Sequence, residues 1–154
     1  MSPLSESALK IAASLIGQKE NPPGSNWGVP VQDYLARVGI TFPASWCAAF
    51  VYWCFDEAAI AARVHNPVYR TAGVLNLWNH CQGNRTMIPG PGDIFIMDFG
   101  KGLGHTGIVE SVDEKGLIHT IEGNSNMDGS RNGYEVVRHL RNSQGPKMKG
   151  FLSF

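Results

Sequence analysis

Residues 42–55 read FPASWCAAFVYWCF, and the interpretation of the whole sequence depends on this stretch. The run 46–55 is almost wholly apolar, and it is about half as long as the roughly 20 residues that a membrane span needs. It therefore predicts a buried core helix. We expect this helix to extend from Ser45, whose hydroxyl would cap its first turn, to about Ala62, with Cys47 near its second position.

The first turn of a helix is a place where a cysteine can become reactive. The thiolate is the attacking form, and the dipole and free N–H groups of a helix N-terminus lower a thiol pKa from about 8.5 to roughly 3.5–7.5 when a base assists. The same N–H groups can stabilise an oxyanion. Cys47 is therefore a candidate nucleophile, and the alternative is a small core hydrophobe. Cys54 lies deep in the predicted helix, and we interpret it as structural.

Helices are predicted before the strands. Apolar residues at helical spacing predict one helix within 4–15, a second within 31–38 and a shorter fourth at 71–80. The Pro- and Gly-rich segment 17–30 predicts a surface loop long enough to be functional. Five segments rich in β-branched and aromatic residues predict strands: DIFIMDF (93–99), HTGIVESV (105–112), GLIHTIEG (116–123), YEVVRHL (134–140) and GFLSF (150–154). This order predicts the α+β class, with N-terminal helices packed on an antiparallel sheet.

The composition limits the number of domains and the kinds of partner. With 154 residues and 43% hydrophobic content, we expect one domain over residues 1–154. Thirteen basic and thirteen acidic residues cancel without forming blocks, so the sequence does not predict binding to nucleic acid or to an anionic membrane. Three cysteines argue against a disulfide scaffold, although a Cys54–Cys81 bridge stays open in an oxidising compartment.

The amino terminus, MSPLSESALK, has no basic segment followed by an apolar one. We therefore expect no secretory signal peptide and synthesis in the cytoplasm. A substrate outside the cytoplasm would require another route of delivery.

A cysteine nucleophile needs a base, and His105 is a suitable candidate. It opens a predicted strand beside Gly104 and Gly107, which leave room for a substrate or a facing side chain. In the next strand, alternation places Glu122 on the face opposite to that of His119. If the two strands pair through the DEKG turn, Glu122 could accept the imidazole N–H of His105 and orient the ring. The alternative is a strand-edge histidine and a solvated turn glutamate.

Four segments together resemble the signature blocks of one family: SWCAAFVYWC (45–54), PGDIFIMDFG (91–100), GHTGIVESV (104–112) and IEGNSN (121–126). The family is CHAP, the cysteine- and histidine-dependent amidohydrolases and peptidases of the papain-like NlpC/P60 superfamily. Its likeness to this chain runs from about Glu20 to Phe154 and implies a papain-like fold. A glutamate at position 122, where other members of the superfamily usually have histidine, favours CHAP.

The resemblance also implies roles for individual residues. It implies that Cys47 is the nucleophile, His105 the general base, Glu122 the orienting residue and Asn124 the polar fourth member. It further implies that Asn26, Trp27 and Trp46 line the substrate groove, although Trp46 could equally pack in the core. Neither a D-x-D calcium loop nor zinc-ligand spacing among His80, Cys81, His105 and His119 is present, so we expect no metal and no cofactor.

The substrate that the resemblance implies is peptidoglycan, cut through a thioester at the muramoyl–alanine amide or within the stem peptide or cross-bridge. A phage lysis enzyme and a secreted antibacterial effector, the latter with a cognate immunity protein, both fit. Either would act in the periplasm or outside after non-classical delivery, and we expect a monomer. The alternatives are a cytoplasmic amidase of small peptide conjugates and a non-catalytic wall-binding module.

Overall fold

The computed structural model describes residues 1–125 and 133–154. Within these residues there are four α-helices: α1 (Pro3–Ser14), α2 (Val31–Arg37), α3 (Cys47–Ala62) and α4 (Val74–His80). They are followed by one 3-10 turn, Gln82–Asn84, and by six strands: β1 (Arg85–Thr86), β2 (Ile94–Gly100), β3 (Leu103–Val112), β4 (Leu117–Ser125), β5 (Glu135–Asn142) and β6 (Met148–Leu152). The strands form one antiparallel sheet in the order β1-β6-β2-β3-β4-β5. The predicted α+β class is confirmed.

The starts of two helices differ from the sequence prediction. Helix α3 begins at Cys47 with Trp46 as its N-cap residue, and no side chain caps it, so the predicted cap at Ser45 is wrong. The chain is instead held at Trp46, whose ring is fully buried. Helix α4 begins at Val74, three residues late, because the Thr71 hydroxyl accepts the Gly73 N–H and forms a turn there.

The five predicted strands are present with shifted ends. Strand β1 was not predicted, because two residues are too few to show a period of two. Strand β5 extends to Asn142, two residues beyond the predicted end, and this extension places Arg141 in the sheet. The DEKG segment does connect β3 to β4, and these two strands pair with Ile108 opposite Ile121.

Helix α3 is the centre of the helical layer. Helices α1 and α2 pack against it, and strands β3 and β4 contact it as well. The approach of α3 to β4 is so close that a Cβ atom at Gly123 would lie 2.7 Å from the Trp46 ring and 2.8 Å from Phe50 Cβ. A glycine is therefore required at position 123, because any larger residue would displace the helix that begins at Cys47.

Two clusters of buried apolar side chains stabilise the sheet. The larger one joins the helices to residues such as Ile108 and Ile121, and the smaller one comprises Phe95, Val109, Ile118 and Phe151. Since side chains alternate along a strand, the two clusters lie on opposite faces of the sheet.

Two further features concern the cysteines and the length of the helices. All three cysteines are buried and free. Among the described residues, no helix has both the length and the apolar character required to cross a membrane.

Candidate active site

Cys47 is the first residue of α3, and its side chain is buried. Because no side chain caps this helix, the N–H groups of its first turn are not occupied by a capping residue. The backbone N–H groups of Ala48 and of Thr106 in β3 lie beside the Cys47 sulfur and favour its charged form. The helix start therefore supplies donors to a thiolate, as the sequence predicted from the position of Cys47.

His105 lies on β3, opposite Met97 of β2, and is fully buried. Its Nε2 atom is 2.8 Å from Oε1 of Glu122, which is the hydrogen bond predicted from the sequence. Its Nδ1 atom is buried and has no hydrogen-bond partner among the described residues. With Nε2 engaged by Glu122, Nδ1 is the ring nitrogen that remains for the Cys47 thiol.

Cys47 and His105 shift each other's pKa. Burial alone would raise the pKa of Cys47, but the adjacent His105 and the two backbone N–H groups outweigh it, and the net pKa is lowered. Burial alone would lower the pKa of His105, but Cys47 and Glu122 raise that pKa to about 9. Both shifts favour a thiolate and an imidazolium over a neutral thiol and a neutral imidazole.

We expect iodoacetamide to label Cys47 rapidly well below pH 8.5, the ordinary pKa of a thiol. The measurement is the labelling rate against pH, followed by mass spectrometry of the peptide that contains Cys47. Cys54 is an internal control on the same helix, since its burial raises its pKa well above the ordinary value. Labelling of Cys47 that begins only above about pH 8.5 would contradict the ion pair.

Glu122 is a fully buried carboxylate on β4 that accepts five hydrogen bonds. The donors are His105 Nε2, the Thr120 and Ser125 hydroxyls, and two nitrogens of Arg141. Burial alone would raise the pKa of Glu122, but Arg141 and His105 hold it well below its usual range. Glu122 is thus ionised and oriented, and it is not the solvated turn residue of the alternative interpretation.

Gly107 makes the contact between Glu122 and His105 sterically possible. The pairing of β3 with β4 places Glu122 opposite Gly107, on the same face as His105. A Cβ atom at position 107 would lie 2.7 Å from the Ile121 carbonyl oxygen, 2.7 Å from Phe95 and 2.9 Å from Glu122 Cγ. The space at Gly107 is therefore filled by facing side chains, one of the two options that the sequence left open.

The Gly107→Ala variant is expected to lose about 1–3 kcal/mol of unfolding free energy, because the added methyl group overpacks this contact. The displaced Glu122 should also weaken the Cys47–His105 pair and slow labelling of Cys47. Guanidinium denaturation and the labelling rate test both effects. Gly83→Ala is the matched control, since a Cβ atom at Gly83 meets no atom within 4 Å. Equal losses of stability and of labelling rate in the two variants would show that the close packing at Gly107 is not the cause.

Asn124 is buried near the end of β4, with a left-handed φ of 54°. Its Oδ1 atom has no hydrogen-bond partner among the described residues. The role that the resemblance assigns to Asn124 stays a prediction. The last residue of the IEGNSN block, Asn126, lies outside the described residues.

The residues predicted to line a substrate groove differ in exposure. Asn26 and Trp27 are partly buried on the loop 17–30, and their role stays a prediction. Trp46 is fully buried and packs against Tyr34, with ring centroids 5.8 Å apart, and against Phe50. The structure thus favours the core-packing alternative for Trp46.

Two charged residues at the site were missed by sequence reasoning. The buried Glu20 accepts the Trp46 indole N–H at 2.9 Å and the Gly24 N–H at 2.8 Å, so it ties the loop 17–30 to the residue before Cys47. Arg141 donates two hydrogen bonds to Glu122. Arg141 was placed just beyond a predicted strand, and Glu20 was one polar residue in a polar loop. No local pattern distinguishes either residue.

Comparisons with known proteins agree with the resemblance noted in the sequence. A family model described as CHAP domain matches residues 39–124, more than half of the chain. The matched region includes Cys47, His105, Glu122 and Asn124. No curated protein and no solved structure matches the chain. Among the described residues, no group of three or more His, Cys, Asp or Glu side chains is arranged to hold a metal ion.

Proposed function

This chain belongs to the CHAP domain family, whose members are generally hydrolases and peptidases, and from that premise we propose that it hydrolyses an amide bond of peptidoglycan. The observation that carries the proposal is the pairing of Cys47, at the uncapped start of α3, with His105, whose other nitrogen is held by the buried Glu122. A nucleophile, a base and an orienting carboxylate are the groups that amide hydrolysis through a thioester requires.

The proposed reaction begins from the thiolate of Cys47. The sulfur attacks the amide carbonyl carbon, and N–H groups at the start of α3 stabilise the oxyanion, with each such donor contributing about 3–4 kcal/mol in other enzymes. The imidazolium of His105 donates its proton to the leaving nitrogen, the C–N bond breaks, and a thioester remains. His105 then accepts a proton from water, whose oxygen attacks the thioester and releases the acid and Cys47.

Glu122 has a supporting role in this proposal. Its carboxylate accepts the Nε2–H of His105, which keeps Nδ1 directed to the sulfur and stabilises the imidazolium. Because Glu122 is fully buried, this interaction is not screened by water.

The proposed substrate bonds are the muramoyl–alanine amide and the amides of the stem peptide or cross-bridge. We propose a phage lysis enzyme or a secreted antibacterial effector as the biological setting, and the effector would have a cognate immunity protein as partner. Membership of the CHAP family supports peptidoglycan as the class of substrate, and it does not distinguish between these bonds or settings.

The experiment that tests the proposal is a digest of purified peptidoglycan sacculi, with the products separated and weighed by mass spectrometry. Wild type is compared with Cys47→Ala and with Cys54→Ala, a matched control on the same helix. Fragments should form with wild type and Cys54→Ala and be absent with Cys47→Ala, and their masses identify the bond that is cut. No fragments from sacculi of several wall chemistries would refute peptidoglycan as the substrate, and peptide conjugates would be tested next.

A further inference from the structure

Arg141 forms a two-point contact with the carboxylate of Glu122. Its Nε atom is 2.5 Å from Oε2 and its Nη2 atom is 2.7 Å from Oε1. Arg141 lies on β5 opposite Ile118, so its side chain runs along the face of β4 that also carries Thr120 and Glu122. Only 10% of the side chain is exposed. The geometry is that of a planar fork on a carboxylate, which a lysine cannot reproduce.

The remaining groups around Glu122 show that Arg141 is its permanent counter-charge. Thr120 and Ser125 of β4 donate hydrogen bonds from hydroxyl groups, which are neutral. Strand β2 contributes the apolar ring of Phe95. His105 of β3 is the other titratable group in contact, and its charge changes during the proposed reaction. Among the described residues, Arg141 is therefore the cation that stays beside Glu122 at every stage.

Two other titratable side chains share this face of β5, Glu135 opposite Ser125 and His139 opposite Thr120. Glu135 is an acid and supplies no positive charge to Glu122. His139 is the basic one of the two. Its Nδ1 atom contacts the backbone of Leu140, and its carbonyl oxygen accepts weakly from Thr120. It makes no hydrogen bond to Glu122, and Cys47 acts on Glu122 only through His105.

Loss of Arg141 would have a defined electrostatic consequence. Burial raises the pKa of Glu122, and Arg141 is the largest of the influences that lower it. An opposite charge at this distance lowers a carboxyl pKa by about 1–3 units, so removing it would raise the pKa of Glu122 by a similar amount. A protonated Glu122 no longer stabilises the imidazolium of His105, and the thiolate of Cys47 would then be lost at a higher pH.

We propose that Arg141 is a positioning residue that keeps Glu122 ionised and oriented toward His105, and that it thereby sets the lower pH limit at which Cys47 is reactive. The inference rests on the proposed function in taking Cys47 as the nucleophile and His105 as its base. It goes further in assigning the acid limit to a residue that does not touch the substrate.

The test compares wild type with Arg141→Met, Arg141→Lys and Arg138→Met. Arg138 is a matched control, since it lies on the same strand and pairs with Glu110 while 58% of its side chain is exposed. Two quantities are measured against pH: iodoacetamide labelling of Cys47, which needs no substrate, and release of fragments from sacculi. The acid limb of each profile is the pH range in which the rate falls as the solution becomes more acidic. In Arg141→Met this limb should lie about one pH unit or more higher than in wild type, in both profiles. In Arg138→Met both profiles should match wild type.

Arg141→Lys separates charge from geometry. It keeps a cation beside Glu122 but loses the fork, so its acid limb should stay within about half a unit of wild type while kcat falls roughly tenfold and KM is unchanged. If Arg141→Met does not fold, Arg141→Lys provides the test, because the lysine retains a positive charge beside Glu122.

An unmoved acid limb in folded Arg141→Met, or a wild-type kcat in Arg141→Lys, would overturn the inference and leave Arg141 a structural residue. A shifted labelling limb without any fragments from wild type would support the positioning role and refute peptidoglycan as the substrate. The labelling readout thus distinguishes failure of the inference from failure of the proposed function.

Discussion

The Cys47→Ser variant is expected to keep its fold and to lose at least about 10⁴-fold in kcat on peptidoglycan. Serine differs from cysteine by one atom and occupies slightly less space. Its hydroxyl, however, ionises far less readily than a thiol, and the donors at the start of α3 together with His105 cannot maintain it as an anion. The rate of fragment release and the guanidinium midpoint measure the two expectations separately.

Cys54→Ser is the matched comparison for Cys47→Ser, and the opposite result is expected from it. Cys54 is fully buried in the core of α3, and a serine hydroxyl there loses its contact with water at a cost of about 1–3 kcal/mol. The variant should therefore be less stable, yet the folded protein should retain wild-type kcat. A large loss of kcat in Cys54→Ser would refute the assignment of the nucleophile, and so would a wild-type kcat in Cys47→Ser.

The Glu122→Gln variant is expected to lose both stability and activity. A neutral amide leaves the guanidinium of Arg141 buried without its counter-charge, and the amide NH₂ faces hydrogen-bond donors on one side. Breaking a buried ion pair in this way costs about 3–5 kcal/mol of unfolding free energy. The imidazolium of His105 also loses its stabilising charge, so kcat should fall by roughly 10²- to 10⁴-fold. Guanidinium denaturation and initial rates measure these two losses.

The pH dependence of stability gives a second readout for Glu122→Gln. In wild type the pKa of Glu122 is lower in the folded protein than in the unfolded chain. Its contribution to stability is therefore present above about pH 4.3, the ordinary glutamate value, and is lost as the pH falls through the folded value. Glu122→Gln should be less sensitive to acid over that range. The contribution of His105 has the opposite sign, since its raised pKa makes that contribution decline as the pH rises through about 9.

Glu110→Gln is the control for the loss of an ion pair as such. Glu110 pairs with Arg138 at the surface, where 28% and 58% of the two side chains are exposed. Water screens such a pair, so its loss should cost less than about 1 kcal/mol and leave kcat unchanged. Similar losses of stability in Glu110→Gln and Glu122→Gln would contradict the special position of the buried pair.

Much of the fold could be predicted because its signals are local. The apolar run at 46–55 has the length and composition of a buried helix, and the segments from residue 93 onward are rich in β-branched and aromatic residues. The structure places a helix or a strand at all of them. The family model matches residues 39–124, which include the apolar run and the first three of the predicted strand segments. Errors occurred at element ends, where Ser45 was assigned a capping role although the chain is positioned by the burial of Trp46.

The candidate site was only partly predictable for a related reason. Cys47 became a candidate through its place in a helix, His105 through its place at a strand start beside glycines, and Glu122 through strand alternation. All three are properties of neighbouring residues. Glu20 contacts Trp46 across 26 positions of the chain, and Arg141 contacts Glu122 across 19. Such contacts depend on the path of a loop and on the extension of β5, which no local spacing records.

The sequence by itself determined the succession of helices and strands, the placement of a cysteine at a helix start, and the alternation that directs Glu122 away from His119. These features follow from the periods of 3.6 and 2 residues and from the free N–H groups of a helix terminus. Only the tertiary structure decided that Trp46 is a core residue, that Gly107 provides the space between Glu122 and His105, and that Arg141 neutralises the buried carboxylate. The physical reason is that burial, close packing and ion pairing are properties of distant residues brought together, and these properties are established only when the sheet and the helices pack.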